Sequence, residues 1–378
     1  MAKNRSLYNA LGIYSSLDVN STGSGAHYQI KRAQSIGYSA EISRTNVQQI
    51  GNLARLAAIV TSPPNVSVDL SYLLTDGAVE KALGFYVQNP ADYTEAGFAS
   101  GHMVTASGKN LYVVEGAEGF DFNAVAGNTL SGKAVIGIGN CFLSNYSVEA
   151  AVGGFPTVSV SFEASNMLTD SYYYNGSITG TNNPAVNVVN GQAFAQNSGV
   201  RFPLPTSGDG AVALRPADFF ISFGNTLTGT TSSGTASSFQ VLEGTDGMRI
   251  QSFSLAVPLS RTPIEQLGSR FPFARPVDFP VTATLSVSAL ANEQVKRNLA
   301  AFLDDSTLSD ITVGINQPGG AGGIRYTLKG AQFDSESSSI DIGSNRSIEL
   351  SFSTQVGSTN ETTVGVFCSG SHSGSVFS

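Results

Sequence analysis

Residues 34–51 read QSIGYSAEISRTNVQQIG, and residues 251–268 read QSFSLAVPLSRTPIEQLG. Aligned without a gap, the two stretches are identical at seven of eighteen positions, including a Ser-Arg-Thr triplet at 43–45 and 260–262. The first half of residues 34–51 alternates apolar and polar residues, which is the pattern of a strand with one buried face. The sequence therefore predicts that one strand and the long loop after it occur twice in the chain.

Three further segments recur in the same order: residues 66–72 at 281–287, residues 79–83 at 295–299, and residues 157–162 at 347–352. The four offsets are 217, 215, 216 and 190, so the second copy has lost residues in its middle. A repeat of this size is a whole folding unit rather than a solenoid module. We therefore predict a duplicated domain, with copy 1 at 34–165 and copy 2 at 239–356.

Three regions have no counterpart in the repeat. Residues 1–33 read as an N-terminal arm, which either orders against a neighbouring chain or is a frayed terminus. Residues 166–238 are rich in Asn, Gly, Ser and Thr, and form an insertion or a small extra domain. Residues 357–378 are a C-terminal tail.

The composition favours a mainly β fold. Charged residues make up 13% of the chain, about half the usual share, while 41 residues are glycine. Abundant Gly, Ser, Thr and Val suit short strands and turns better than helices. Each copy has one segment with helical spacing, at 76–86 and 292–303. The expected fold is two tandem β-sandwich or split-barrel domains, each flanked by one α-helix, plus an inserted β and loop region.

The charge balance and the apolar runs exclude several classes of protein. A net charge of −8 argues against nucleic-acid binding, which requires a basic surface. The N-terminus lacks the apolar core of a signal peptide, and no apolar run approaches the length of a transmembrane helix. We expect a soluble protein made in a cytoplasm.

One predicted strand face carries charge of a single sign. The polar sides of the repeated strands hold hydroxyls and carboxylates but neither Lys nor Arg: Ser39, Glu41, Ser67, Asp69, Ser71, Ser147, Glu149, Ser161, Glu163, Ser254, Thr282, Thr284, Asp334, Glu349 and Ser351. The alternative is an ordinary solvated outer face, although such faces usually mix Lys with Glu. Leaving out cations removes the phosphate contacts that bind a polyanion. This set of residues is called the polar face below.

No motif points to catalysis. The three histidines, at 27, 102 and 372, lie far apart in segments predicted to be surface loops, and no zinc-binding spacing occurs. Two cysteines, Cys141 and Cys368, are too few for a disulfide framework and favour a buried apolar role. We predict no enzyme activity, and neither a catalytic residue nor a cofactor or metal site.

Residues 29–51, QIKRAQSIGYSAEISRTNVQQIG, followed by residues 62–72, SPPNVSVDLSY, resemble the tail tube (major tail) proteins of long-tailed bacteriophages. The resemblance covers most of copy 1 and, more faintly, copy 2. It implies a β-sandwich or split barrel flanked by one helix. It also implies that six such domains form a ring, that rings stack, and that inner sheets join into a continuous β-barrel through which DNA passes.

For this chain the resemblance implies a virion structural protein, made in the host bacterial cytoplasm and located in the phage tail. Two domains per chain would need three chains per ring, a homotrimer with pseudo-sixfold symmetry. The polar face would line the lumen and conduct double-stranded DNA during genome ejection without binding it specifically. The loops at 44–64 and 261–280, the arm and the tail would contact the next ring, and Arg44 and Arg261 would pair with acids on a neighbour. Ordinary charges at loop ends are the alternative for these arginines.

The partners implied are further copies of the chain and neighbouring tail proteins, with no membrane. A second hypothesis is a two-domain β-sandwich module at the tail tip that binds a receptor or carbohydrate. Such a module would expose aromatic residues on its loops, and residues 172–174, three tyrosines, are the one cluster of this kind.

Overall fold

The structure is a computed structural model, and it describes residues 8–19, 26–88, 96–103, 108–118, 133–172, 188–189, 192–193, 214, 219–223, 249–269, 271–290, 309–316, 323–340, 345–372 and 376. The second predicted helix, at 292–303, lies outside the described residues. The same holds for most of the insertion at 166–238.

The described residues form twenty strands and two short helices. In the first half these are β1 (Tyr8–Ser16), β2 (His27–Gln29), β3 (Ala33–Glu41), β4 (Arg44–Val47), β5 (Ala57–Val60), β6 (Asn65–Leu73), α1 (Ala78–Leu83), β7 (Val87–Gln88), α2 (Ser100–Met103), β8 (Lys109–Ala117), β9 (Lys133–Ala151), β10 (Thr157–Ala164) and β11 (Asn166–Tyr172). The remainder are β12 (Val188–Val189), β13 (Gln192–Ala193), β14 (Phe219–Phe223), β15 (Arg249–Pro258), β16 (Val281–Leu290), β17 (Ser309–Asn316), β18 (Gly323–Ser339), β19 (Ser347–Val356) and β20 (Gly365–Gly370).

The prediction of a mainly β fold is confirmed. One large sheet runs in the order β14-β17-β18-β19-β16-β15-β9-β10-β6-β3, and every neighbouring pair along it is antiparallel. Alternation of side chains determines which face is buried. In β6, for example, Val66, Val68, Leu70 and Tyr72 are almost fully buried, while the residues between them are not.

The two halves of the chain meet in the middle of this sheet. Strand β15 pairs with the second part of β9, so that Leu255 lies opposite Val148. A single hydrophobic core contains buried residues from both halves. The halves therefore share one sheet and one core.

Strands β9 and β18 are long because each passes from one layer of strands to another. The first part of β9 pairs with β8 and β11, and its second part pairs with β10 and β15. The first part of β18 pairs with β17 and β20, and its second part with β19. Helix α1, shorter than the predicted segment 76–86, buries Val79 and Leu83 in the core.

The strand registers of the two halves match. Ile36 lies opposite Leu70 in the first half, and Phe253 lies opposite Val287 in the second, with both members shifted by 217 residues. Each pair of strands has a register shift at its first residues, at Gln34 and again at Gln251. The alignment of 66–72 with 281–287 was therefore wrong by two residues. A shift of two keeps every side chain on the same face, so the sequence pattern could not reveal it.

The offset of 190 is supported by the registers of the last two strands of each half. Ser161 lies opposite Asn145, and Ser351 lies opposite Ser335. The register slips next to each of these pairs, leaving Ser144 and Asp334 as the extra residues. These residues, too, are related by 190 positions.

The arm and the tail differ from expectation. Strands β1 and β2 pair with each other, and β1 also pairs with β8, burying Ile13, Tyr14 and Ile30. In the tail, all six residues of β20 are buried between β18 and β7. The described residues of both segments supply apolar side chains to the core of their own chain, so the arm is neither frayed nor dependent on a neighbouring chain for its order. Contact of the arm and tail with the next ring stays a prediction.

The two predicted loops are hairpins. Strands β4 and β5 pair with each other apart from the main sheet, placing Arg44 opposite Val60. The second loop has isolated bridges at the corresponding positions, Arg261 with Val277 and Ile264 with Ala274. Residues 44–60 are called the first hairpin and residues 261–277 the second hairpin.

Candidate functional site: a polar face, two free edges and two hairpins

The structure brings all the predicted polar-face residues to the side of the sheet away from the core. They lie on eight adjacent strands, β3, β6, β10, β9, β15, β16, β19 and β18. One row across these strands, read from register to register, contains Ser35, Ser71, Ser159, Ser147, Ala256, Thr284, Ser353 and Gln332. Because the registers are continuous, the face is one surface shared by both halves of the chain.

Hydroxyl groups on this face form hydrogen bonds mainly with groups on neighbouring strands. The Ser35 and Ser71 hydroxyls lie 2.6 Å apart. The Ser161 hydroxyl donates to a carboxylate oxygen of Asp69 at 2.7 Å, and the Ser353 hydroxyl donates to Asp334 at 2.9 Å. These contacts hold the carboxylates close to the strands. The face therefore offers short, negatively charged or neutral groups instead of long cationic side chains.

The face is concave where the two halves meet. A depression of about 400 Å³ is lined by strands of both halves, with Glu149 on one wall and Glu349 on the other. Most of its remaining lining is serine, threonine, alanine and glycine, and the aromatic side chains are Phe155 and Phe253. Both carboxylates are exposed.

The expectation of a face without cations needs one correction. The guanidinium of Arg275, from the second hairpin, lies 2.8 Å from the carboxylate of Glu163. The Arg275 side chain is 5% exposed and that of Glu163 is 35% exposed, so the pair is partly buried at the margin of the face. Counting charges along the strands missed Arg275 because the hairpin that carries it folds back onto the sheet.

The prediction for Arg261 is also corrected. Its guanidinium is buried and donates to three backbone carbonyls of its own chain, those of Leu143 at 2.8 Å, Arg275 at 2.7 Å and His102 at 2.8 Å. Burial lowers the pKa of Arg261 to about 10. Arg44, its counterpart on the first hairpin, is exposed. Only Arg44 is therefore accessible to another chain.

Two strand edges of the eight-stranded region carry no neighbour among the described residues. Strand β3 pairs with β6 alone, and the second part of β18 pairs with β19 alone. Apolar side chains are exposed at both edges, with Tyr38 at 41%, Ile42 at 52% and Ile340 at 70%. An unpaired edge presents backbone donors and acceptors to another strand. No signal in the sequence distinguished these strands from central ones.

Both hairpins expose apolar side chains at their tips. Ile50 and Leu267 are the last apolar residues before Gly51 and Gly268, which both adopt positive φ. They are related by 217 positions and are fully exposed, at 102% and 105%. Leu53, near the tip of the first hairpin, is exposed to the same degree. Exposed aliphatic residues at equivalent places in both hairpins make the tips candidates for contact with another molecule.

Two strongly perturbed titratable groups, Glu80 and His102, are sealed in the core. Burial raises the pKa of Glu80 from 4.5 to about 7, and the hydroxyl of Tyr72 donates to its carboxylate at 2.9 Å. Burial, and then Arg261 and Lys109, lower the pKa of His102 to about 3. Neither side chain is more than 2% exposed, so a substrate has no access to them. The expectation that the histidines lie on the surface was wrong for His27 and His102, which pack inside the fold.

Both cysteines are buried and unpaired, as predicted. Across the described part of the chain, His, Cys, Asp and Glu side chains do not gather in threes to form a metal-binding group. No helix among the described residues has the length and apolar character needed to cross a membrane. No protein-family model matches the chain, and no curated protein matches its sequence.

Proposed function

We propose that this chain is a structural subunit of a phage tail tube, of which three copies join edge to edge into a ring. In this arrangement the polar faces line a channel for double-stranded DNA. The rings stack through the exposed hairpin tips to form the tube. The chain carries no catalytic role.

The observation that carries the proposal is the order of strands in the eight-stranded region. It consists of a four-strand unit, β9-β10-β6-β3, next to a second unit in the same order, β18-β19-β16-β15. The first strand of one unit pairs with the last strand of the other at the β15–β9 joint. The free edges, β3 and β18, are the counterparts of β15 and β9. Repeated head-to-tail contacts of this kind close into a ring when the rotation per step permits it.

The size of the channel favours three chains over two. Three chains supply 24 strands because each contributes eight. At a spacing of about 4.8 Å and a tilt of about 40°, such a barrel has a backbone diameter of roughly 48 Å. Side chains reduce this to roughly 38 Å, which admits a DNA duplex about 20 Å wide with a layer of water. Two chains would leave only roughly 22 Å, too little for a hydrated duplex.

The chemistry of the polar face suits passage rather than binding. Lys and Arg contacts to phosphates release counterions and supply most of the affinity for DNA. A wall of serines and threonines with sparse carboxylates lacks that contribution. Glu149 and Glu349 repel phosphates at close range, so the duplex remains in the centre of the channel. The ion-paired Glu163 adds little to this repulsion.

Electron microscopy and mass measurement of the purified protein test the proposal. Negative-stain images at increasing protein concentration should show threefold rings or tubes, and mass photometry should show a trimer. Monomers at every concentration, with binding to immobilised glycans, would instead support the receptor-binding or carbohydrate-binding module. Rings of a different copy number would overturn the trimer.

A further inference from the structure

We infer that the contact between neighbouring chains, the joint between chains, repeats the pairing of β15 with β9 within each chain, the joint within the chain. In the joint between chains, β3 of one chain pairs antiparallel with residues 335–340 of the next, and Arg44 docks on β18 as Arg261 docks on β9. The inference rests on the proposed ring and specifies its contacts residue by residue. The partner is a second copy of this chain.

The joint within the chain provides the geometry. Strand β15 runs antiparallel to β9, with Leu255 opposite Val148. One residue beyond the strand, the backbone N–H of Leu259 donates to the carbonyl of Ser144 at 2.8 Å. Further along, the Arg261 guanidinium reaches the carbonyl of Leu143. The strand and the first residues of the second hairpin thus bind β9 as one unit.

Subtracting 217 from the residues of β15 and the second hairpin, and adding 190 to the residues of β9, gives the corresponding contacts between chains. Leu255 and Val148 become Tyr38 and Ser338. The hydrogen bond from Leu259 to Ser144 becomes one from the Ile42 N–H to the Asp334 carbonyl. The contact of Arg261 with Leu143 becomes a contact of Arg44 with the Phe333 carbonyl. All these positions are described by the structure, and the two bulge residues, Ser144 and Asp334, correspond.

Residues at the joint within the chain are buried, whereas their counterparts at the free edges are exposed. This difference is what the absence of a neighbouring strand would produce. Leu255 and Leu259 are 0% exposed, whereas their counterparts Tyr38 and Ile42 are 41% and 52% exposed. On the other side of the joint, Ala150 is 8% exposed and its counterpart Ile340 is 70% exposed. These residues lie on, or one residue beyond, equivalent strands with equivalent registers. What the exposed set lacks is the adjoining strand.

The joint between chains is expected to be weaker than the joint within the chain. The ion pair of Arg275 with Glu163 has no counterpart, because the corresponding positions hold Ala58 and Ser353. In place of the buried Tyr146 stands Glu336. Fewer buried apolar and charged contacts give a joint that forms at high protein concentration and dissociates on dilution.

Two matched arginine variants distinguish an effect on folding from an effect on assembly. Arg261→Ala removes three hydrogen bonds inside the chain and should lower the melting temperature of the monomer. Arg44→Ala should leave that temperature unchanged and raise the protein concentration needed for ring formation by about tenfold, the effect of losing one charged hydrogen bond. An Arg44→Ala protein that assembles as readily as the original would overturn the docking of Arg44.

A disulfide tests the register directly. By analogy with Ser254 and Glu149, Gly37 and Ser339 should lie opposite each other between chains, in a pair that does not exchange backbone hydrogen bonds. Such pairs have a Cα separation of about 4.5 Å, within the range that a disulfide bridges. A side chain at Gly37 has nothing within 4 Å, so a cysteine fits there. Cys141 and Cys368 are buried and should not compete.

Oxidised rings of the Gly37→Cys/Ser339→Cys double variant should give covalent trimers on a non-reducing gel. The control Gly37→Cys/Ser335→Cys, four residues out of register, should not. If rings form but the first variant does not cross-link, or the control cross-links as well, the inferred register is wrong while the proposed function stands. If the unmodified protein never assembles, the proposed function itself fails.

Discussion

The phenol oxygens of Tyr146 and Tyr326 lie 2.6 Å apart, in a buried hydrogen bond that joins the first half of the chain to the second. Tyr146 belongs to β9 and Tyr326 to the first part of β18, and both rings are almost fully buried. The ring of Phe98 packs edge-on against both, with centroid distances of 5.0 Å and 5.8 Å. A polar contact between the two layers of strands therefore lies inside an aromatic cluster.

We expect the two tyrosines to be coupled energetically. Tyr146→Phe or Tyr326→Phe breaks this buried hydrogen bond, which should lower the free energy of unfolding by about 1–3 kcal/mol. The double variant leaves neither hydroxyl, so its loss should be smaller than the sum of the two single losses by roughly 1 kcal/mol. Urea unfolding of the four proteins measures this. Additive losses would mean that the hydroxyls do not interact.

Glu80 should make the stability of the protein depend on pH. Because burial raises its folded-state pKa from 4.5 to about 7, the folded protein binds more protons than the unfolded chain between these values. Stability is therefore full below pH 4.5 and falls as the pH rises to 7, by up to about 3 kcal/mol for this group. Glu80→Gln should be more stable than the original protein above pH 7. Thermal unfolding at pH 5 and pH 8 compares them, and an equal pH dependence would contradict the assignment.

Charge reversal on the polar face should slow the passage of DNA. Glu149 and Glu349 are exposed and face the same depression, so Glu149→Lys/Glu349→Lys places cations where phosphates pass. We expect normal assembly, slower DNA ejection from virions, and recovery of the rate at high salt. Asp18→Lys/Glu118→Lys makes the same change of net charge at exposed positions outside both the polar face and the hairpins, and it serves as the control. If both pairs have the same ejection rate, the polar face does not line the channel.

The hairpin tips should matter for stacking but not for ring closure. Ile50 and Leu267 are fully exposed in both hairpins, although the base of the second hairpin is docked on its own chain. Ile50→Ser/Leu267→Ser removes apolar surface without touching the core, so the melting temperature should stay constant. Electron microscopy should then show single rings in place of tubes. Tubes of normal length would show that the tips lie outside the ring-to-ring contact.

Much of the fold could be predicted from local pattern. The strands around residues 36–42 and 66–72 follow directly from alternation, because burying one face of a strand requires a period of two. Helix α1 follows from the spacing of Val79 and Leu83. The strands of the arm and tail could not be predicted because their apolar runs are short and interrupted by Gly and Ser, whereas β1 and β20 are stabilised by strands far away in the sequence.

The candidate site divides in the same way. The polar face could be predicted, since alternation along each strand places its residues on one side. The surroundings of the arginines at the edge of the face could not be predicted. Arg44 and Arg261 share the same local sequence, Ser-Arg-Thr, yet one is exposed and the other is bound to three carbonyls.

The sequence by itself determined the repeated strands, their two faces and the single sign of charge along one of them, because these depend on residues near one another in the chain. Only the tertiary structure decided which strands became edges, which arginine was buried and where Arg275 met Glu163. Those outcomes depend on hydrogen bonds and contacts between segments more than a hundred residues apart, such as β9 with β15. A local pattern does not show which strand will pair with a distant segment and which will remain at an edge of the sheet.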